Sequence, residues 1–577
     1  MNRRTKRAPV APRKWRTLAL VAVFGAGAAA LEARVAYLQL IDRDFLAAEA
    51  DDRHIRTTQI AAHRGPLLDR NGEVLAVSTP VDSIWVNPSE MRDSLDRLPA
   101  LARELGLEEE SLARRITSNL DREFVYLKRH LSPTDAAAVL ALDVPGVESM
   151  REYRRYYPAG EVAGHIIGFT DIDDQGQSGL EYAYDYWLEG EAGSKRVLKD
   201  RLGRVIGDVE QVRAARPGRE LRLSIDLRLQ YLAYRELKAA VVASGAASGS
   251  LTLLDAHSGE VLAMVNQPSF NPNNRDQRDT DHYASHRNRA LTDIVEPGSS
   301  IKPLIAAAAI ETGDYSKDSV IDTAPGRLEL DGRILTEDNS NLGRLSLTEI
   351  LARSSNVGIA KVGLSLEPDQ TWRTLDGFGI GRVTESGFPA ESAGVLNDFR
   401  HWRQVGQATL SYGYGLAVTN LQLARAYSSI AAGGMLPPVS FLAVDEAPER
   451  QRVISESTAN EMLTMLEQVV SSEGTGQRAA ISNYRVAGKT GTSWISEAGS
   501  YSDDRYNAVF AGIAPASDPR LVAIVVINDP RGASYYGGQV AAPVFSSVVG
   551  GALRILAVPP DDLPDEPVLV SRASVPQ

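Results

Sequence analysis

Glu296-Pro297-Gly298-Ser299-Ser300-Ile301-Lys302 sets a hydroxyl and an amine one helical turn apart. A serine hydroxyl is a poor nucleophile at neutral pH and needs a base within hydrogen-bond reach, which Lys302 supplies at this spacing. Alone the pattern carries little weight, since roughly one or two Ser-x-x-Lys quartets are expected by chance in a chain of this length. Two partner sets change the reading. Ser354-Ser355-Asn356 adds a second hydroxyl and an amide, and Lys489-Thr490-Gly491-Thr492 follows inside a strand-like stretch. Together, in this order, they specify a serine acyl-transfer enzyme.

The segments around these sets define an α+β unit over residues 221–557. Near its start Ser224 or Asp226 is placed to cap an amphipathic helix running through Leu237 and Val241. Strand-like Leu251 to Leu254 and Val261 to Val265 flank a turn at His257-Ser258-Gly259, and the middle is helical. A capping box, Ser346-x-x-Glu349, opens the helix that delivers the chain to Ser354. Strand-like runs return at Tyr484 to Thr492, Tyr506 to Ile513 and Leu521 to Ile527. Strands at both ends with helices between predict one antiparallel sheet, its first and last strands adjacent, flanked by helices.

Residues 41–220 read as a separate α+β unit. Arg64 to Gly72 is turn-rich and leads into an alternating strand from Glu73 to Ser78, and the charged stretch from Met91 to Leu140 reads as helical. Arg64, Asp69 and Glu181 lack a nucleophile-base pairing, so a buried polar network is the expected role, with a partner surface as the alternative. The tail 558–577, rich in Pro and Asp, is expected to be disordered.

The formal net charge is −12 although residues 1–16 carry seven Lys and Arg and no acid, so the rest is more acidic still and a nucleic-acid partner is excluded. The absence of cysteine excludes thiol catalysis and cysteine-ligated zinc. After the basic tail, Leu18 to Leu31 is apolar, Glu32 and Arg34 interrupt, and Val35 to Leu40 resumes. Residues 17–40 read as a transmembrane anchor with positive-inside topology, which carries the bulk of the chain out of the cytoplasm. Because the uninterrupted run is shorter than the roughly 20 residues of a spanning helix, a cleaved signal peptide ending near Ala28-Ala29-Ala30 stays open. His282 and His286 lie four apart without an accompanying ligand pattern, and neither a metal nor a cofactor is expected.

The three sets, with Arg64 to Gly72, Gly176 to Glu181, Ser411-Tyr412-Gly413-Tyr414-Gly415 and Tyr535-Tyr536-Gly537-Gly538, resemble a class B penicillin-binding protein of the division type. Ser354-Ser355-Asn356-Val357-Gly358 and Asn528-Asp529-Pro530 are closer to the septal enzyme than to its elongation counterpart, and Ser300 stands where many relatives carry Thr. The resemblance implies an N-terminal membrane helix, an elongated pedestal (dimerisation-type) domain and a penicillin-binding, serine β-lactamase-like transpeptidase domain. It implies peptidoglycan D,D-transpeptidation inhibited by β-lactams. Ser299 would attack a stem peptide ending in D-Ala-D-Ala, expel D-alanine, and pass the acyl group to a neighbouring amine. By the same resemblance the backbone N-H groups of Ser299 and Thr492 form the oxyanion hole, Thr490, Gly491 and Thr492 receive the donor carboxylate, and Asn356 orients the substrate and Lys302. Lys302 can act as base directly or through Ser354, provided burial or a cation such as Lys489 favours its neutral form. The implied partners are a membrane-embedded glycan polymerase, other division proteins and the inner membrane. Hydrolysis, as in a carboxypeptidase or β-lactamase, and a non-catalytic division scaffold are the competing functions.

Overall fold

The computed structural model describes residues 14–43, 55–199, 205–274, 284–337, 341–446, 448–497 and 500–563. Most of the basic tail, His282 and the tail beyond 563 lie outside them. The first element, α1 (Lys14–Leu40), is 27 residues long with a mean hydropathy of 1.7 over its most apolar window, and none of its residues is buried. At 1.5 Å per residue such a helix exceeds the roughly 30 Å of a bilayer core. It runs unbroken through Glu32 and Arg34, where the sequence has its interruption.

The chain forms two compact units, one taking residues 1–62, 81–152 and 191–216, the other 63–80, 153–190 and 217–577. In the first, residues of β1 (Val74–Val86) from Asp82 onward pair antiparallel with β2 (Val125–Leu131). This strand corrects the expectation that 91–140 is helical throughout: it hides Leu127 and Leu131, while Lys128 is exposed and Arg129, half-buried, pairs with Glu152 at 2.8 Å. Leu98, Leu101, Leu105, Leu112, Ile116 and Val139 from the neighbouring helices complete this unit's core.

The second unit is built on a five-stranded sheet. A helix, α2 (Leu227–Ser244), opens it, with Asp226 as N-cap accepting from the backbone of Arg228 at 3.0 Å. Then β3 (Ser248–Asp255) and β4 (Val261–Gln267) form a hairpin. Near the end of the unit come β5 (Ala487–Glu497), β6 (Ser500–Ala514) and β7 (Leu521–Asn528). The order is β4-β3-β7-β6-β5, antiparallel throughout, so the first and last strands are neighbours, as expected. The fifth-strand boundary differs, since β5 begins at Ala487 and not at Tyr484, whose side chain instead bonds the carbonyl of Val558 at 2.7 Å. Val558 is itself buried and Asp561 accepts from the backbone of Arg485, so ordered packing extends past the expected start of the tail at 558.

Successive residues of β7 alternate between two cores. Val522, Ile524 and Val526 face one that includes Leu304, Leu423, Tyr427 and Met462, whereas Leu521, Ala523, Val525 and Ile527 face one with Leu229, Leu237, Phe545 and Val549. Helices cover both faces, which is why the strand reads as an unbroken apolar run instead of an alternating one. The central helix α3 (Lys302–Ile310) is buried at all nine residues, and Lys302 is its one charged side chain.

Candidate active site

The chain reaches the site through Gly298–Ile301, a 3-10 turn that carries Ser299 and runs straight into α3. Ser299 and Lys302 therefore relate across the junction of a 3-10 turn and an α-helix, not within one α-helix, and positions three apart nearly eclipse in 3-10 geometry. Ser299 is half-buried and Lys302 is fully buried. Gly298 adopts φ +53°, and a Cβ there would lie 2.6 Å from the carbonyl oxygen of Thr492. Gly413 adopts φ +93°, and its missing Cβ would lie 2.0 Å from the Gly298 carbonyl oxygen. The Ser411 to Gly415 run thus has a packing reason: it lets backbone close on backbone beside Ser299.

The second set arrives through α4 (Leu347–Ala352), whose Ser346 and Glu349 form the capping box the sequence predicts. Ser354 then sits at φ +60°, a left-handed conformation costly for a side chain bearing a Cβ. Its hydroxyl oxygen accepts from Lys302 Nζ at 3.1 Å and from Lys489 Nζ at 3.0 Å. Lys302 Nζ also donates to the Ser354 carbonyl at 2.6 Å and to Asn356 Oδ1 at 2.8 Å. Lys489 Nζ donates to the Thr490 carbonyl at 3.1 Å. Helix α5 (Asn356–Ser365) starts here, with Ser355 as N-cap bonded by the Gly358 N-H at 2.9 Å.

The third set lies on β5 against the Ser299 turn, with the Ser493 hydroxyl donating to the Glu296 carbonyl at 2.7 Å. Lys489 is fully buried and Thr490 nearly so. The Thr490 and Thr475 hydroxyls bond at 2.8 Å, and Thr492 Oγ1 accepts from the Gly537 N-H at 3.2 Å. Ser299, Lys302, Ser354, Asn356, Lys489, Thr490, Gly491 and Thr492, spread over nearly 200 positions of sequence, therefore converge on one place. Two amines sharing one hydroxyl oxygen can relay a proton, an arrangement suited to activating a nucleophile and protonating a leaving group.

Sequence reasoning missed Glu337. Its carboxylate accepts from the Asn356 N-H at 2.9 Å, the Val357 N-H at 3.2 Å and the Ser355 hydroxyl, so it caps α5 and fixes the entry to Asn356. It lies at the end of an exposed hairpin strand, where nothing local marks a glutamate as a cap for a helix further along. Tyr427, fully buried, donates to the Ser300 carbonyl at 2.7 Å and holds the nucleophile turn from below. Tyr535 stacks on Tyr506 with centroids 4.0 Å apart and on Tyr536 at 4.5 Å.

The other sequence candidates fall outside this site. Arg64 and Glu181 are buried and paired at 2.8 Å, Arg155 joins Glu181 at 2.6 Å, and Arg64 also meets Asp185 at 2.6 Å. Asp69, equally buried, belongs to a different set of bonds: it accepts from the Asn71 and Glu73 N-H groups and from the Leu227 N-H at 3.0 Å, at the start of α2. Burial removes the partner-surface reading for all three side chains. His286 packs against Phe270, centroids 4.2 Å apart.

A nucleophile turn, a lysine-bridged serine and a Lys-Thr-Gly-Thr edge strand on a helix-covered antiparallel sheet define a serine acyl-transfer domain. Residues 249–550 match the penicillin binding protein transpeptidase domain and residues 59–223 the penicillin-binding protein dimerisation domain. The chain is 42% identical to the peptidoglycan D,D-transpeptidase FtsI of Escherichia coli, over 95% of this chain and 93% of that one. It is 40% identical to the probable peptidoglycan D,D-transpeptidase PbpC of Pseudomonas aeruginosa, over 97% and 98%. Among solved structures it resembles penicillin-binding protein 3 of Mycobacterium tuberculosis complexed with aztreonam, at TM-score 0.69 and 28% identity, covering 87% of this chain and 98% of that one. The chain belongs to the penicillin-binding protein transpeptidase family.

Proposed function

We propose that this protein is a peptidoglycan D,D-transpeptidase of the division septum, anchored by one N-terminal helix in the inner membrane with its catalytic unit in the periplasm. The observation that carries the mechanism is the Ser354 hydroxyl accepting from both Lys302 and Lys489. Two ammonium groups repel each other, so the Lys489 charge favours a neutral Lys302, whose two N-H groups then serve two of its three acceptor oxygens and leave a lone pair for the Ser299 proton. Lys302 takes the proton of Ser299 as its oxygen bonds to the carbonyl carbon between the two D-alanines. The Ser299 and Thr492 N-H groups hold the oxyanion. As the carbon-nitrogen bond breaks, the proton passes from Lys302 through Ser354 to the departing D-alanine nitrogen. Thr490, Gly491 and Thr492, with Lys489 behind them, receive the donor's carboxylate, and Asn356, seated by Glu337, orients the peptide backbone.

The pedestal at 41–220 and the catalytic domain at 221–557 are supported by the two family matches and the anchor at 17–40 by the apolar helix Lys14–Leu40, while the C-terminal tail begins after the ordered packing around Val558 and Asp561. The septal assignment rests on the likeness to FtsI. A chain of this organisation acts where new glycan emerges, so a membrane-embedded glycan polymerase and other division proteins are its partners, met through the anchor and pedestal. Labelling with a fluorescent penicillin tests the chemistry: the wild type forms a lasting adduct that maps to the peptide holding Ser299, and Ser299→Ala forms none. An adduct that survives in the mutant overturns the nucleophile, and an adduct lost within seconds favours hydrolysis.

A further inference from the structure

Glu296, three residues before the nucleophile, is the one carboxylate in the Glu296 to Lys302 segment, and the mechanism above leaves its side chain unused. Its Oε1 accepts from the Gly415 N-H at 2.8 Å and from the Tyr501 hydroxyl at 3.0 Å. Its Oε2 is buried and has no hydrogen-bond partner among the described residues. Buried carboxylate oxygens are almost always paired, so an unpaired one asks for a donor from outside.

Three aromatic rings cluster beside this carboxylate, tied to it by the Tyr501 hydroxyl and by Gly415, the residue after Tyr414. The Tyr414 centroid lies 5.7 Å from that of Trp494 and 5.6 Å from that of Tyr501, and Trp494 and Tyr501 are 6.4 Å apart. Trp494 is 43% exposed and Tyr501 49% exposed, so the group opens to solvent instead of closing into a core. Aromatic faces around a carboxylate recognise an organic cation: the rings stabilise it through their quadrupoles and the carboxylate through charge and hydrogen bonds. The position is tied to the reaction centre on two sides. Glu296 leads into the Ser299 turn, and Ser493, the residue after Thr492, holds the Glu296 carbonyl.

We infer that Glu296, Tyr414, Trp494 and Tyr501 form a docking site for the amine of the acceptor peptide strand, bound as an alkylammonium ion that gives one proton to the Glu296 carboxylate before the free amine attacks the acyl-enzyme. The inference rests on the transpeptidase reading, which requires an amine to approach the acyl-enzyme. It gives the cleft a polarity, with the Lys489 end taking the donor's carboxylate and the Glu296 end the acceptor's ammonium. Burial raises the Glu296 carboxyl from its ordinary value, opposed by its bonds to Gly415 and Tyr501, and a docked cation would lower it again.

The test separates acylation from acceptor use in the full-length protein. A thioester analogue of an acyl-D-alanyl donor forms the acyl-enzyme, and a synthetic stem peptide with one free amine serves as acceptor over a range of concentrations. Glu296→Gln and Trp494→Ala are expected to raise the half-saturating acceptor concentration by about tenfold or more, and Trp494→Phe to recover most of that loss. In each variant the acceptor shift should exceed any change in the rate of penicillin acylation several-fold. An unchanged half-saturation, or an acceptor shift matched by an equal loss of acylation, overturns the docking site. Trp494 is exposed, so its variants carry the test should Glu296→Gln fold poorly. A wild type that penicillin fails to label would overturn the transpeptidase reading itself, a separate outcome.

Discussion

Two buried polar clusters in the same unit differ in how their charge is met. In the Arg64, Arg155, Glu181 and Asp185 cluster, guanidinium meets carboxylate at 2.6 to 2.8 Å. In the Lys302, Ser354, Lys489 cluster, two lysine side chains converge on neutral hydroxyl, carbonyl and amide oxygens. The first is matched, and removing a partner leaves a charge stranded in a low dielectric. The second sets an amine beside a buried ammonium group on one proton path, an arrangement that does little for folding and much for chemistry. Active sites are where such unrelieved charge is tolerated.

The largest expected effect tests the matched cluster. Arg64→Met should cost about 3–5 kcal/mol by stranding part of the Glu181 charge, read as a large drop in melting temperature, while the folded fraction still labels with penicillin at the wild-type rate. A stable Arg64→Met protein that labels slowly would break the comparison, because it would place the pair in the chemistry.

A second test asks whether burial of a neutral group behaves like the matched cluster. His165 is buried, its Nε2-H donates to the Ser285 carbonyl at 2.6 Å, and burial pushes its imidazole down to about 4. The unfolded chain takes up a proton near pH 6.5 that the folded chain refuses, so stability falls as the pH drops from there through 4, by about 3 kcal/mol at the lower end. His165→Gln, which keeps a donor, should flatten this acid limb. An equally steep limb in the variant would assign the loss to other groups.

Lys489→Met sharpens the other half. It removes a buried charge but keeps the apolar stem, so the melting temperature should hold or rise while penicillin acylation slows by roughly ten- to a hundredfold, the cost of one charge-assisted contact. Unchanged acylation would remove Lys489 from the mechanism. The smallest effect concerns Glu296. Because its folded carboxyl is raised, the wild type loses stability as the pH climbs above the ordinary carboxylate range. Glu296→Gln should therefore melt slightly higher than wild type at neutral pH, with the gain fading in acid. A gain that persists at pH 4 would point to packing and not to charge.

Much of this was legible because the signals are local. Asp226 and Ser346 mark helix starts through bonds to residues two or three positions on, and both cap as their spacing predicts. The β-strands of the catalytic unit betray themselves as apolar runs bounded by turns. The strand from Val125 to Leu131 was hidden because consecutive Lys128, Arg129 and His130 interrupt its apolar residues, so the stretch reads as a charged helix until its pairing partner is known. Val558 looks like the start of a solvated tail, and only the Tyr484 hydroxyl reaching its carbonyl shows otherwise.

The sequence by itself determined the reactive groups and their order: a nucleophile three positions from an amine, a serine and amide next, a lysine and threonines last. It could do so because the side chains that do the chemistry sit in short motifs whose internal spacing is set by one turn or one strand. The tertiary structure decided what each group faces. The shared hold of two lysines on the Ser354 hydroxyl, the cap that Glu337 gives to Asn356 and the bond from Tyr501 to Glu296 all join residues that are remote in sequence. Such contacts follow from which helices cover which sheet face, and no local pattern encodes that.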